Sequence, residues 1–244
     1  MSGWVLAAVG TGFTFLATTI GASVVFFSKE ESAAAWDGGS SGFAAGVMVA
    51  ASVWSLLLPA MEMAGPGGWV PALGGIWGGA LFLFLLETLP RKKYGGTQLF
   101  ILAVTMHNIP EGMAVGLACA LAATGDGMSA AGAMTLALGI GIQNLPEGAA
   151  VSLPLRREGR GKLRSFGGGV LSGAVEPIGG MLAVFAAGFF RPLMPVLLSF
   201  AAGAMLYAIA GELLPGAVRQ APRAAVFGFL AGFSIMMALD VALG

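Results

Sequence analysis

The sequence predicts an all-α polytopic membrane protein with eight transmembrane helices in a single transmembrane domain. Apolar residues make up 57% of the 244 residues, charged residues make up only 10%, and there are 40 glycines. A soluble domain of this length needs more charge to cover its surface. Abundant small residues are typical of closely packed membrane helices.

The apolar stretches define the predicted spans. A helix needs about 20 mainly apolar residues to cross a bilayer, and eight stretches are long enough. They are Trp4–Phe27, Gly42–Met63, Trp69–Leu89, Thr97–Ala123, Ser129–Leu153, Phe166–Phe190, Leu193–Pro215 and Ala224–Leu243. The chain therefore divides into three helices (residues 1–90), a central pair (97–153) and three more helices (165–244).

The basic residues predict the orientation, because cytoplasmic loops are enriched in Lys and Arg. If both termini face outward, all basic residues except Arg191 lie in cytoplasmic loops. These loops hold Lys29; Arg91, Lys92 and Lys93; Arg156, Arg157, Arg160, Lys162 and Arg164; and Arg219 and Arg223. We therefore expect extracytoplasmic termini and a location in a bacterial cytoplasmic (inner) membrane. The run starting at Trp4 has no basic residues before it and no clear cleavage site after it, so it is not expected to be a cleaved signal peptide.

Charge and cysteine usage exclude several classes of function. The formal net charge is zero, so nothing indicates a nucleic-acid partner. Cys119 is the only cysteine and lies in an apolar run, where a small core residue is expected. A disulfide within the chain and a cysteine-rich metal site are therefore excluded. Small residues on many helix faces permit a homodimer.

Two segments near the ends of the chain resemble each other. FAAGVM at Phe43–Met48 recurs as FAAGAM at Phe200–Met205, and each run ends in Leu-Pro. Gly75, Gly79 and Glu87 match Gly228, Gly232 and Asp240 in spacing. The topology gives the two copies opposite directions, which predicts an inverted repeat of the kind found in secondary transporters.

A second repeat marks the central pair of helices. HNIPEGMAV at His107–Val115 and QNLPEGAAV at Gln143–Val151 share Asn, Pro, Glu, Gly, Ala and Val in register. Ionisable groups inside a span are costly and indicate function. The glycines of the motif, Gly112 and Gly148, are expected to allow close approach of a neighbouring helix.

Helical geometry predicts where these side chains point. Residue i+4 lies about 40° around the helix from residue i, and residue i+1 lies about 100° around it. Glu111 therefore projects between His107 and Asn108, and the second motif repeats this arrangement. If the helices face each other, one metal position meets His107 and Gln143. A second position meets Asn108, Asn144 and Glu176.

Three intramembrane glutamates require compensation. Glu111, Glu147 and Glu176 would place about three negative charges in a low dielectric if ionised and unpaired. No Lys or Arg lies near mid-span in the sequence, so a cation or protons must neutralise them. Carboxylates, amide oxygens and one imidazole suit Zn²⁺, Fe²⁺, Mn²⁺ and similar ions. Met48 is at mid-depth and offers a thioether, although packing is its simpler role.

HNIPEG followed by QNLPEG resembles the ZIP (Zrt-, Irt-like) family of divalent-metal transporters, and within it the GufA-like bacterial branch. The resemblance covers essentially the whole chain. It implies eight helices, outward termini, an inverted repeat around the central pair, and elevator-like movement of the metal-carrying helices. It also implies transport of Zn²⁺ or a related ion (Cd²⁺, Fe²⁺ or Mn²⁺) into the cytosol.

The resemblance further implies a binuclear site. Its first position would use Met48, His107, Glu111, Gln143 and Glu147, and its second would use Asn108, Glu111, Asn144, Glu147 and Glu176. Two departures from the family pattern stand out. Many relatives have His at the position of Gln143, and many have a His-rich loop where this chain has only RKKYGG.

Four further acids lie near the ends of predicted spans, and three other functions are alternatives to metal transport. Glu62 is expected at an outer entrance and Glu212 at an inner exit, whereas Glu87 and Asp240 are expected to be structural. An intramembrane hydrolase is disfavoured because HNIPE lacks the second His of HExxH, so no enzyme is predicted. A proton-coupled carrier of a small organic substrate and a metal-selective channel stay open as alternatives.

Overall fold

The computed structural model describes residues 2–27, 34–88, 97–125, 128–189 and 191–243, and the fold of these residues is all-α. The α-helices are α1 Gly3–Ala22, α2 Ala34–Ala51, α3 Leu58–Ala64, α4 Trp69–Thr88, α5 Thr97–Thr124, α6 Ala130–Arg157, α7 Lys162–Gly173, α8 Val175–Phe189, α9 Met194–Ala208, α10 Leu214–Gln220 and α11 Pro222–Leu243. The prediction of an all-α fold is confirmed for these residues.

Six helical runs among the described residues are long and apolar enough to cross a membrane. They are Gly3–Phe26, Gly38–Ala64, Trp69–Leu86, Lys162–Phe189, Met194–Gln220 and Pro222–Ala242. The two helices that carry the polar motifs, α5 and α6, are not among these six, although each has 28 residues. Polar side chains in the middle of a span lower its mean hydropathy while leaving its length sufficient.

Three of these runs depart from regular α-helix in their interior, two at a π-helical segment and one at an interruption, and each departure lies close to a proline. Pro59 and Pro215 each follow a π-helical segment, at Ser52–Leu57 and Ile209–Leu213 respectively. A proline has no N–H to donate and clashes with the carbonyl four residues earlier, so the hydrogen-bond ladder must change there. Pro177 acts in the same way, because α7 ends at Gly173, four residues before it. The sixth predicted span is therefore two helices interrupted at Ala174.

Helices α2 and α11 pack closely, and α4 and α9 do so in a corresponding way. A Cβ at Gly79 of α4 would overlap the carbonyl oxygen of Phe200, and a Cβ at Gly232 of α11 would overlap the carbonyl oxygen of Phe43. Phe43 and Phe200 open the two FAAG segments. The repeated sequences therefore make equivalent backbone contacts, which only glycine permits at this distance.

The motif helices pack in a matching pair of contacts, α5 against α8 and α6 against α1. A Cβ at Gly112 would overlap the carbonyl oxygen of Glu176 in α8. A Cβ at Gly148 would overlap the carbonyl oxygen of Thr18 in α1. The prediction that both glycines allow close approach is confirmed.

The apolar core lies between these helices and includes Cys119, which is fully buried as predicted. Several charged residues with a predicted role lie wholly or partly outside the described structure. Lys29, Arg91, Lys92 and Lys93 lie outside the described residues, as do the side chains of Glu87, Arg157 and Arg191.

Candidate metal site

Three carboxylates are buried where α5, α6 and α8 meet. Glu111 and Glu176 are completely inaccessible to solvent, and Glu147 is 8% exposed. They lie close enough together for Glu111 to interact electrostatically with Glu147 and Glu176. Burying several carboxylates together is costly unless hydrogen bonds or a cation compensate them. The three helices therefore bring one acid each to the same buried region.

A hydrogen bond joins the two motif helices. Gln143 of α6 donates from Nε2 to Oε1 of Glu111 in α5, at 2.7 Å. This short bond fixes one side of the Glu111 carboxyl group. The other oxygen, Oε2, is buried and accepts no hydrogen bond from the described residues.

Glu176 is held from two helices. Asn144 of α6 donates from Nδ2 to Oε2 of Glu176 at 2.8 Å, and Thr18 of α1 donates from Oγ1 to Oε1 at 2.9 Å. Asn144 Nδ2 also lies 3.3 Å from the carbonyl oxygen of Thr14. Sequence reasoning assigned no residue of α1 to the site. Thr11, Thr14 and Thr18 recur on one helical face, which was the available signal.

The unpartnered polar atoms at this site are all oxygens. Asn108 donates from Nδ2 to the carbonyl oxygen of Ser172 at 2.9 Å, so the amide nitrogens of three site residues are already bonded. Buried oxygens without a hydrogen-bond partner among the described residues are Asn108 Oδ1, Glu111 Oε2, Gln143 Oε1, Asn144 Oδ1 and Glu147 Oε2. Buried polar atoms of this kind call for an explanation. A cation, or water molecules acting as donors, would satisfy them.

The other predicted ligands lie in different surroundings. His107 is buried, with 8% exposure, one turn before Glu111 on α5. Met48 is 1% exposed and belongs to the apolar core cluster. Glu62 is exposed on α3, and Glu212 is half-buried in the π-helical segment that follows α9. Asp240 accepts a hydrogen bond from Ser55 at 2.7 Å, which agrees with its expected structural role.

The part of the chain that the structure describes contains no group of three His, Cys, Asp or Glu residues arranged to hold a metal ion unaided. The acids lie on three helices, and amides lie between them. An ion bound here would therefore need amide oxygens as well as carboxylates. Such oxygen-rich sites suit hard and borderline divalent ions rather than the softest metals.

Comparison with known proteins decides the family. The model of the ZIP zinc transporter family matches residues 91–240. The chain belongs to the ZIP family. The zinc transporter GufA of Myxococcus xanthus is 37% identical, over 93% of this chain and 95% of its own length. The zinc transporter ZIPB of Bordetella bronchiseptica is also 37% identical, over 98% of this chain and 81% of its own.

The similarity extends to animals. The human zinc transporter ZIP11 is 34% identical, over 98% of this chain and 97% of its own length. The resemblance found in the two motifs is thereby confirmed, including its GufA-like branch. The ZIP family consists of metal transporters and not enzymes, and this member is an integral membrane protein.

Proposed function

We propose that the chain carries Zn²⁺, and related divalent ions such as Cd²⁺, Fe²⁺ and Mn²⁺, across the membrane into the cytosol through a binuclear intramembrane site. One observation carries the proposal: buried acceptor oxygens converge from α5 and α6, and their companion amide nitrogens are already bonded. Such a site attracts a cation because each of its open positions offers a lone pair.

The first metal position comprises His107, Glu111, Gln143 and Glu147, with Met48 as an added ligand. Glu111 Oε2, Gln143 Oε1 and Glu147 Oε2 are the buried unpartnered oxygens that support this set. The hydrogen bond from Gln143 to Glu111 leaves the amide oxygen of Gln143 available. His107 adds the imidazole that borderline ions favour.

The second metal position comprises Asn108, Glu111, Asn144, Glu147 and Glu176. Asn108 Oδ1 and Asn144 Oδ1 are the unpartnered oxygens here. Glu111 and Glu147 belong to both positions, because each carboxylate has two oxygens. A carboxylate shared between two ions holds them close together and offsets their mutual repulsion.

The architecture we propose is eight spanning helices in a 3+2+3 arrangement with an inverted repeat. The six apolar runs, the two 28-residue motif helices and the matching contacts of Gly79 and Gly232 support it. The site is carried by α1, α5, α6 and α8. An elevator-like movement of these helices against the α2–α11 and α4–α9 pairs would expose the ion to each side in turn.

We place both termini outside a bacterial cytoplasmic membrane, in keeping with the loop charges and the bacterial relatives. In this orientation the exposed Glu62 lies at the outer end of its span, where it would raise the local cation concentration. Glu212, on the route to the inner side, would receive the departing ion. The family name on the relatives supports zinc transport as the shared activity.

Uptake of radioactive zinc into proteoliposomes tests the function. We expect saturable, temperature-sensitive uptake by the native protein, and a loss of more than about 100-fold in Glu111→Ala, because even outer partners of metal ligands cost about 10–100-fold when removed. Glu158→Ala is the matched control, since Glu158 lies half-exposed in the turn after α6. Unlabelled Mn²⁺, Fe²⁺ and Cd²⁺ as competitors give the selectivity.

The same assay separates the alternatives. Uptake that neither saturates nor slows on cooling would indicate a metal-selective channel. Absence of uptake of any divalent ion by folded protein would reject metal transport and direct attention to a proton-coupled organic substrate. Unchanged uptake in Glu111→Ala would show that transport occurs at a different site.

A further inference from the structure

Two hydroxyls of α1, those of Thr14 and Thr18, interact with Glu176 of the site, and Thr18 is the closely packed one of the two. It is completely buried, and its Oγ1 lies 2.9 Å from Oε1 of Glu176. The same oxygen lies 3.2 Å from the carbonyl oxygen of Thr14, one turn earlier in α1. A hydroxyl has one hydrogen to donate, so these two acceptors compete for it.

Close packing of three helices fixes the position of Thr18. Gly173, at the end of α7, lies so near that a Cβ there would be 2.9 Å from Cβ and Cγ2 of Thr18. On the other side, Gly148 of α6 packs against the backbone of Thr18, and a Cβ there would overlap its carbonyl oxygen. A β-branched side chain is already stiff at χ1. Thr18 therefore presents its hydroxyl to Glu176 with little freedom to turn away.

Glu176 differs from the other two acids of the site. Glu111 and Glu147 each keep one buried oxygen without a partner among the described residues. Glu176 accepts a hydrogen bond at each of its oxygens, from Thr18 and Asn144. If Glu176 binds an ion through one of these oxygens, the donor on the other oxygen can keep the carboxylate oriented. The donor on the ion-binding oxygen must turn to another acceptor.

We propose that Thr18 is a positioning residue for the second metal position: its hydroxyl holds Glu176 towards Asn144, and it turns to the carbonyl oxygen of Thr14 when the carboxylate shifts onto an ion. The inference rests on the proposed function, because it assumes that Glu176 binds metal. The alternative acceptor in Thr14 is already in place, so the shift leaves no buried donor without a partner. Partners that orient metal-binding carboxylates contribute strongly to affinity.

The test is zinc binding to the purified protein in detergent, with affinity and stoichiometry measured for each of the two ions. In Thr18→Val, which keeps the shape but removes the hydroxyl, we expect the second ion to bind about 10-fold more weakly. Binding of the first ion should not change. Thr18→Ser restores the hydroxyl and should restore the affinity for the second ion.

Thr11→Val is the matched control. Thr11 is also completely buried on α1, but its hydroxyl donates to the carbonyl oxygen of Ala7 at 2.7 Å. This variant should bind both ions normally. In a Glu176→Gln background, Thr18→Val should cause no further loss for the second ion, because coupled residues give non-additive effects.

Two outcomes would overturn the assignment of Thr18. One is a second-ion affinity in Thr18→Val equal to that of the native protein. The other is equal weakening in Thr18→Val and Thr11→Val, which would reveal general damage to α1. A native protein that binds no zinc would instead reject the proposed function itself, so the two failures are distinguishable.

Discussion

The two motif helices make the same backbone contact with different partners. Gly112 of α5 packs against the backbone of Glu176, and Gly148 of α6 packs against the backbone of Thr18. One crossing therefore contributes a carboxylate to the site, and the other contributes a hydroxyl. The hydroxyl and the carboxylate then bond to each other. The α5–α8 and α6–α1 crossings are therefore packed alike, but they contribute different chemical groups to the site.

This difference shows what each level of structure controls. Glycines at helix crossings set the distance between backbones, and both crossings need them equally. The side chains at the crossings set the charge, and only the α8 side supplies an acid. Four experiments test or refine this comparison.

The largest effect is expected from adding a methyl group at each crossing. Gly112→Ala and Gly148→Ala should each destabilise the fold by about 1–3 kcal/mol, because an overpacked core must shift its backbone. Thermal melting in detergent measures this. Transport should fall further in Gly112→Ala, which displaces Glu176 directly. Gly74→Ala is the control, since a Cβ there meets no atom within 4 Å.

An unequal loss of stability in the two variants would break the comparison, because the crossings would then differ in packing as well as in chemistry. Equal loss of stability with equal loss of transport would show that the Gly148 crossing, which carries the hydroxyl, matters to transport as much as the Gly112 crossing, which carries the acid. The assay for transport is zinc uptake at a temperature well below each melting point.

The second experiment uses pH to examine the acid side. Metal ligands must be deprotonated, so zinc competes with protons for the carboxylates. The apparent Kd for zinc should rise as the pH is lowered from about 7.5 to about 5.5, with proton release on binding. Calorimetry in buffers of different ionisation enthalpy counts these protons. Glu176→Gln should release fewer protons than the native protein; an unchanged number would remove Glu176 from the site.

The third experiment makes the two motifs alike. Gln143 occupies the position in α6 that His107 occupies in α5. Gln143→His would give both helices an imidazole, and borderline ions such as zinc favour nitrogen ligands more than manganese does. We expect the preference for zinc over manganese in competition assays to rise about 3–10-fold. An unchanged preference would show that Gln143 contacts no transported ion.

The smallest effect is expected at the periphery. Glu62 is exposed, so its charge acts on ions through screened solvent. Glu62→Gln should lower uptake by less than about twofold at physiological ionic strength, and by more at low salt, where electrostatic attraction extends further. Initial uptake rates at two salt concentrations measure this. A loss as large as that in Glu111→Ala would make Glu62 a ligand.

Much of the site could be predicted from the sequence because its residues are chemically unusual for their surroundings. Glu111, Glu147 and Glu176 are acids in apolar helices, and the helical repeat dictates which neighbours share their face. The placing of Gln143 with His107 at one position follows from two facing helices with the same motif, whereas the hydrogen bond from Gln143 to Glu111 is known only from the structure. In the structure the three acids are buried, and a hydrogen bond joins the two motif helices.

Other features could not be predicted because their signals are weak or non-local. Thr18 lies in an apolar helix where threonine is unremarkable, and only the fold brings it to Glu176, which is distant in sequence. The interruption at Ala174 and the π-helical segments depend on how the chain accommodates Pro177, Pro59 and Pro215. A proline predicts a disturbance but not the form that it takes.

The π-helical segments bear on how the chain tolerates insertions and deletions. Each begins at the same distance after a FAAG segment, at Ser52 and at Ile209. A π turn accommodates one residue more than an α turn, so a one-residue deletion there would restore an α-helix and leave the side chains beyond it facing nearly the same way, whereas a deletion in the flanking α-helix would rotate them by about 100°. Glu62 and Pro215 lie beyond these points. We therefore expect single-residue deletions within either segment to be accepted in a library more often than deletions in the α-helices on either side of it.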